Sequence, residues 1–351
     1  MSLDVRILIT GNLGYVGPVL VRHLRSRWPD AELMGFDAGY FAHCLTGAAS
    51  LPEARLNSQT FGDMRAFPSE LLAGVDVVVN LAAISNDPMG NQFEQVTLDI
   101  NHRAGLALAE AARKAGVSSF VFASSCSVYG FAADGARNEL SAVDPLTAYA
   151  RSKVLLERDL AALALPGFQV TCLRFATACG WSERLRLDLV LNDFVASALA
   201  TGKITILSDG TPWRPLIHVE DMARAIEWAA VPGRTGGDFL VVNAGSDGWN
   251  HQVRDLASAV AAAFPGVEVS LNASAPPDRR SYRVDFARFR SLAPEHQPRV
   301  GLPEAVAGLK AGLERMGFAD PDFRQSPLIR LRTLRGHLEN GRLDPQLFWI
   351  S

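Results

Sequence analysis

Short apolar runs alternate with helix-patterned stretches through the first half of the chain. "VRILIT" runs into a glycine turn, and "YVGPVLVRHLRSRW" after it carries apolar residues at helical spacing. "AELMGFD", "VDVVVNLAA", "SSFVFASS" and "FQVTCLRF" repeat the strand theme, and "LDINHRAGLALAEAARKAG" reads as a helix ending at Gly116. The strands are apolar on both faces. That suits a parallel sheet covered by helices on each side, because an antiparallel sheet with one wet face would alternate. The pattern predicts an α/β fold built on a Rossmann-type doubly wound parallel sheet.

After about Phe175 the rhythm changes. "LDLVLNDFVASALATG" predicts a helix, "KITILS" a short strand, "VEDMARAIEWAA" another helix, and "GDFLVVNAG" a strand returning to the sheet. The stretch "SAPPDRRSYRVDFARF" and the Pro-rich turns around it predict a smaller, discontinuous C-terminal substrate lobe. The boundaries expected are residues 1–175 for the sheet domain, with 215–245 returning to it, and 176–214 plus 246–325 for the lobe. Residues 326–351, "SPLIRLRTLRGHLENGRLDPQLFWIS", read as an arginine-rich amphipathic helix and tail.

Composition narrows the class. Of 351 residues 48% are hydrophobic and 20% charged, and the net charge of −3 gives no basic surplus to suggest nucleic acid or an anionic membrane as partner. No run approaches the roughly 20 apolar residues needed to span a bilayer, and residues 1–9 read as a strand rather than a signal peptide. The four cysteines show no CxxC and no histidine at ligand spacing, so reduced thiols, a cytoplasmic location and no metal site are expected. Arginine outnumbers lysine 30 to 4, which makes each lysine informative.

"TGNLGYVG" places Gly11, Gly14 and Gly17 just after the first strand, where a dinucleotide pyrophosphate would meet backbone N–H groups and a helix N-terminus. The spacing is GxxGxxG rather than GxGxxG. Asn12, Leu13, Tyr15 and Val16 complete the turn. Asp37 ends the second strand, placed to accept from the adenosine ribose hydroxyls, and Asp63 with Met64 is expected at the adenine end. No arginine follows Asp37 until Arg55, which favours NAD over NADP.

"YARSK", residues 149–153, puts Tyr149 and Lys153 on one helical face, in a helix expected to start at Asp144–Pro145. A lysine ammonium beside a phenol favours phenolate, and such a tyrosine can exchange a proton with an alcohol as hydride moves. "FASSCSVYG" follows a strand whose C-terminal end is where doubly wound sheets hold ligands.

Taken together, "TGNLGYVG", Asp37, "GDMR", "VVNLAA", "SSCSVYG", "YARSK", "LRFATACG", "GTPWRPLIHVEDMARAI" and "VVNAG" resemble the extended short-chain dehydrogenase/reductases of the sugar-nucleotide epimerase/dehydratase family. The resemblance covers residues 3 to 290 and leaves the tail unmatched. It implies Ser125, Tyr149 and Lys153 as catalytic residues, with Ser124 a close alternative for the serine. Leu81, Ala82, Ala83, Ser124, Tyr149 and Lys153 would join the glycine turn in holding NAD. A nucleotide-diphosphate sugar would meet Asn86, Ser125, Cys126, Ser127, Tyr149, Asn192, Arg214 and Arg280, whereas Arg174 is expected to be structural. For Asn86 and Asp87 a turn before Pro88 is the plainer account.

In the dehydratases of this family an Asp–Glu pair follows the catalytic serine or threonine. Here Cys126 and Ser127 stand there, which disfavours dehydration. Oxidation at C4, rotation of the keto sugar and return of hydride needs only Ser125, Tyr149, Lys153 and NAD, so a 4-epimerase is expected, with a 4-ketoreductase as the alternative. A reductase of a non-sugar carbonyl and a non-catalytic NAD-binding sensor are less favoured. Family members also imply a homodimer, with the helix over 101–116 and the Tyr149 helix forming a four-helix bundle.

Overall fold

The computed structural model describes residues 5–132, 135–231, 236–272 and 281–350. Seven strands form one parallel sheet: β1 (Arg6–Thr10), β2 (Glu32–Asp37), β3 (Ser58–Phe61), β4 (Val77–Asn80), β5 (Ser119–Ser125), β6 (Gln169–Phe175) and β7 (Phe239–Ala244). Their order is β7-β6-β5-β4-β1-β2-β3. The chain reverses direction across the sheet between β1 and β4, and ligands bind beyond the strand ends at such a switch point. Thr10 Oγ1 donates to Asn80 Oδ1 at 2.9 Å and ties the two strand ends together there.

The pleat sorts the apolar residues into two cores. Ile7 and Ile9 face one side with Val77, Val79 and Val121, while Leu8 faces the other with Val78, Phe120 and Phe122. Both sets are buried, which is why these strands read as continuous apolar runs. Removing the outer carbons of one such residue, as in Ile9→Ala, should cost about 2–5 kcal/mol.

Helices cover both faces: α1 (Gly17–Arg27), α2 (Asp87–Gln92), α3 (Gly105–Lys114), α4 (Ala148–Ala161), α5 (Val190–Thr201), α6 (Val219–Ala230), α7 (Val253–Ala263), α8 (Leu302–Arg315) and α9 (Arg330–Glu339). Two boundaries differ from the sequence pattern. The helix expected through residues 98–116 contains a π turn over Asp99–Ala104 before α3 begins. That turn carries Asn101, which accepts from Ile84 N at 2.8 Å and donates to Ser152 Oγ at 3.1 Å, so a side-chain bracket accompanies the irregular turn. Helix α4 starts at Ala148 rather than at Asp144–Pro145, because Thr147 caps it by accepting from Ala150 N.

The lobe holds a three-stranded sheet of Thr177–Cys179, Trp213–His218 and Asn250–Gln252, and a parallel pair of Lys203–Ile206 with Glu268–Leu271. The return to the large sheet therefore runs through α6 and β7, while Trp213–His218 stays in the small one. The tail folds back: Leu187 N donates to Leu328 O at 3.0 Å, and Trp349 Nε1 donates to Ala38 O at 2.6 Å.

Candidate active site

A cavity of about 1080 Å³ opens along the C-terminal ends of the strands and runs from Asp37 to the lobe. That exceeds the ~300–1,000 Å³ usual for one drug-sized ligand. Its volume suits a dinucleotide with a second ligand.

The glycine turn lines one wall. Gly11 has φ +74°, and a Cβ there would lie 2.5 Å from Ala82 N, so neither the conformation nor the space admits another residue. Gly14, Tyr15 and Val16 face the cavity beside the start of α1. The remaining turn residues are a correction to the sequence reading. Asn12 and Leu13 are buried away from the cavity, and Asn12 Nδ2 donates to Gln59 Oε1 at 2.6 Å. Gly17 is a packing glycine, since a Cβ would lie 1.9 Å from Asn12 O. Leu13 contributes its N–H instead, donating to Asp37 Oδ2 at 3.0 Å.

Asp37 also accepts from Gly39 N at 2.7 Å. Burial raises its pKa, and these two bonds and the Arg184 guanidinium oppose the rise. Arg184 comes from a distant segment, and Glu53 already pairs with it. A nearby cation for a ribose phosphate is thus supplied by the fold but already paired. Asp63 faces the cavity with both oxygens held by Arg65, whose guanidinium lies 3.5 Å from the centre of the Phe348 ring. Met64, Leu81, Ala82 and Ala83 line the same stretch. Gly11, Gly14 and Asp37 fit a dinucleotide's pyrophosphate and ribose, and the cavity has room for it.

At the other end Ser125, Tyr149 and Lys153 meet. Ser125 ends β5 with its hydroxyl beside Tyr149, close enough to pull the phenol's pKa down. Ser124 turns inward and donates to Glu157, so the geometry selects Ser125 as the serine beside the phenol. Lys153 Nζ lies 5.4 Å from the centre of the Tyr149 ring and donates to Ala123 O at 2.8 Å. Gly90 lets α2 approach closely, since a Cβ there would lie 3.0 Å from Tyr149 N.

The charge picture corrects the simple ammonium–phenol expectation. Tyr149 is pushed up to about 12, chiefly by burial and further by the Asp87 carboxylate, with the Ser125 hydrogen bond and Arg186 pulling the other way. Lys153 is pushed down to about 7 by burial, which the Glu157 carboxylate opposes. The lysine's anchor is a carbonyl oxygen rather than the phenol, and desolvation dominates both groups.

Further residues separate cleanly. Cys126 is fully buried, its Sγ donating to Arg174 O at 3.1 Å, and burial raises its pKa. It points into the core, which corrects its expected substrate contact. Ser127 lines the cavity, and its hydroxyl has no partner among the described residues. Asn192 is also corrected: it is buried, accepts from Gly180 N at 3.0 Å and donates to Arg186 O at 2.9 Å, so its amide braces the lobe. Asn86 caps α2, accepting from Met89 N at 2.9 Å, and donates to Asp188 Oδ2 at 2.8 Å. Arg214 lines the cavity with Tyr282, whereas Arg280 lies outside the described residues. Arg174 pairs with Glu157 at 2.6 Å inside the core.

Sequence reasoning missed Arg186, Asp188, Tyr282, Asn101 and Arg330. Arg186 pairs with Asp188 at 2.9 Å and donates to Ser85 O and Ser85 Oγ, so it ties the loop after β4 to the lobe. "RLRLD" held the signal, hidden among the other arginines of the chain.

Residues 7–245 match the family model of the NAD dependent epimerase/dehydratase family. The chain is 30% identical over 230 residues to a Bacillus subtilis (strain 168) protein named as an uncharacterized UDP-glucose epimerase, YtcB, covering 63% of this chain and 71% of that one. It is 28% identical over 319 residues to a Streptomyces griseus dTDP-glucose 4,6-dehydratase, covering 88% and 94%. Among solved structures, MoeE5 in complex with UDP-glucose and NAD superposes with a TM-score of 0.74 at 29% identity, covering 88% of this chain and 99% of that one. TunA, an NAD dependent NDP-hexosamine 5,6-dehydratase, gives 0.74 at 27% identity over 90% and 99%.

Proposed function

Because the chain belongs to the NAD dependent epimerase/dehydratase family, we propose that it is an NAD-dependent epimerase of a nucleotide-diphosphate sugar, acting at C4. The observation that carries this reading is the placement of Ser125, Tyr149 and Lys153 together on the cavity wall, while the two residues after Ser125 offer no carboxylic acid. Bound NAD supplies the hydride acceptor and donor. Gly11, Gly14 and Asp37 would hold its adenosine half and pyrophosphate, and Lys153 would bind its nicotinamide ribose.

In its phenolate form, which is the minor one at neutral pH with the phenol pushed up to about 12, Tyr149 takes the proton of the C4 hydroxyl as that carbon is oxidised, and Ser125 holds the reacting oxygen by hydrogen bond. The keto sugar then turns over and Tyr149 returns the proton to the oxygen on the opposite face. Arg214, in the lobe, anchors the diphosphate so that the sugar alone rotates. Structures of relatives bound to UDP-glucose with NAD support the substrate class. A 4-ketoreductase would use the same three residues with exchangeable cofactor. The Streptomyces dehydratase relative keeps dehydration in view, but Cys126 faces the core and Ser127 cannot serve as a carboxylic acid.

Incubating the purified protein with UDP-, GDP-, CDP- and dTDP-hexoses tests the reading. Epimer formation with no net consumption of added NAD is expected. Oxidation of free NADH or NADPH by a 4-keto sugar without epimer would replace it with the ketoreductase.

A further inference from the structure

The tail that matched no motif carries a buried cation that makes no ion pair with any described residue. Arg330 opens α9, is 1% exposed, and lines the cavity. Its acceptors are the carbonyls Arg184 O at 2.8 Å and Pro327 O at 3.5 Å, and its guanidinium lies 4.9 Å from the centre of the Phe41 ring. Among the described residues it makes no ion pair. The two arginines of the adjoining segment each have one: Arg184 with Glu53, and Arg186 with Asp188. A buried guanidinium without a counter-ion is destabilising unless an anion reaches it.

The position identifies the anion. The segment that Arg330 grips packs on the glycine turn, with Ser182 Oγ donating to Tyr15 O at 2.7 Å and Thr46 Oγ1 donating to Ser182 O at 2.9 Å. Phe41 follows shortly after Asp37 in the chain and lines the same cavity, so Arg330 approaches the cavity from the loop that follows Asp37. Burial, Arg186 and Arg184 lower the Arg330 pKa to about 10, while Asp188 and Cys44 oppose this, as fits uncompensated positive charge. The tail is fixed at both ends, by Leu328 O on Leu187 N and by Arg65 Nη1 on Gln346 O at 2.7 Å.

We propose that Arg330 is a ligand of the dinucleotide's pyrophosphate, delivered by the C-terminal segment from across the cleft and facing the glycine turn. The planar fork of arginine can give two parallel N–H donors to such a group. The proposal rests on the cleft being the NAD site.

Nucleotide-free wild type, Arg330→Met and Arg330→Lys are titrated calorimetrically with NAD, ADP, adenosine and UDP, and their melting temperatures are recorded without ligand. Arg330→Met should bind NAD and ADP at least tenfold more weakly, with adenosine and UDP unchanged within about twofold. Its unliganded melting temperature should hold or rise, because an unpaired buried charge has gone. Arg330→Lys should fall between the two and also serves if the methionine variant fails to fold. NAD affinity within twofold of wild type in either folded variant overturns the proposal. So does equal weakening of adenosine, which would mark Arg330 as a support of cleft shape. A loss confined to UDP would move Arg330 to the sugar nucleotide and overturn it too. Wild type that binds no NAD would sink the cofactor reading itself, and no arm depends on turnover.

Discussion

Lys153 gives the most direct test of the site's electrostatics. It is 2% exposed, and burial brings it to about 7 in the folded chain against 10.5 when free. Between those values the unfolded state binds the extra proton, so stability rises with pH across that window. From pH 7 to 8.5 the unfolded lysine stays protonated while the folded one goes from half to nearly fully neutral. Integrating over that step gives roughly 1–2 kcal/mol of added stability. With an unfolding entropy of ~2.1 cal/mol/K per residue, this corresponds to about 2 °C in melting temperature for a chain of this length. Lys153→Met removes the term. The buried Cys126 and Cys179 thiols, raised by burial, work in the opposite direction above pH ~8.5 and cancel in the comparison. Differential scanning calorimetry of nucleotide-free wild type and Lys153→Met, at intervals from pH 7 to 8.5, reads the difference in slope. Wild type should gain on the variant as pH rises. Parallel curves would mean that Lys153 titrates near its free value, and the account of a desolvated lysine held on Ala123 O would be wrong.

Tyr149→Phe should lower turnover by ~10²–10⁴ and leave NAD affinity within about twofold, measured by epimer formation and calorimetry; undiminished turnover would remove Tyr149 from proton transfer. Cys126→Ala should keep turnover within about twofold and lose about 1 kcal/mol in urea unfolding, because the thiol packs in the core; a hundredfold loss of rate would restore it to the chemistry. Gly11→Ala should destabilise the fold by more than about 2 kcal/mol and abolish NAD binding, given φ +74° and a Cβ 2.5 Å from Ala82 N. Light scattering tests the proposed homodimer: its interface would use α3 and α4, which already pack together with His102 bonded to Asp159 at 2.6 Å, and a monomeric mass at micromolar concentration would reject it.

Six of the seven sheet strands were legible because they are buried on both faces and so read as apolar runs, whereas the edge strand β3, "SQTF", is partly exposed and carries no such run; the glycine turn was legible because Gly11 has no alternative residue. Tyr149 and Lys153 were legible because helical spacing alone puts residues four apart on one face. The sequence could not separate Ser124 from Ser125, since adjacent strand residues point to opposite sides and only the register of β5 says which faces the phenol. Nor could it turn Cys126 and Asn192 inward.

Local periodicity and local chemistry thus determined most of the sheet, the glycine turn and the placing of Tyr149 and Lys153 on one helical face. Contacts between distant segments decided the rest. Arg186 reaches Ser85, Arg184 reaches Glu53, and Arg330 comes from the far end of the chain to the cavity wall. Each is one arginine among 30 in the sequence, and only the fold shows which two have a carboxylate and which one does not.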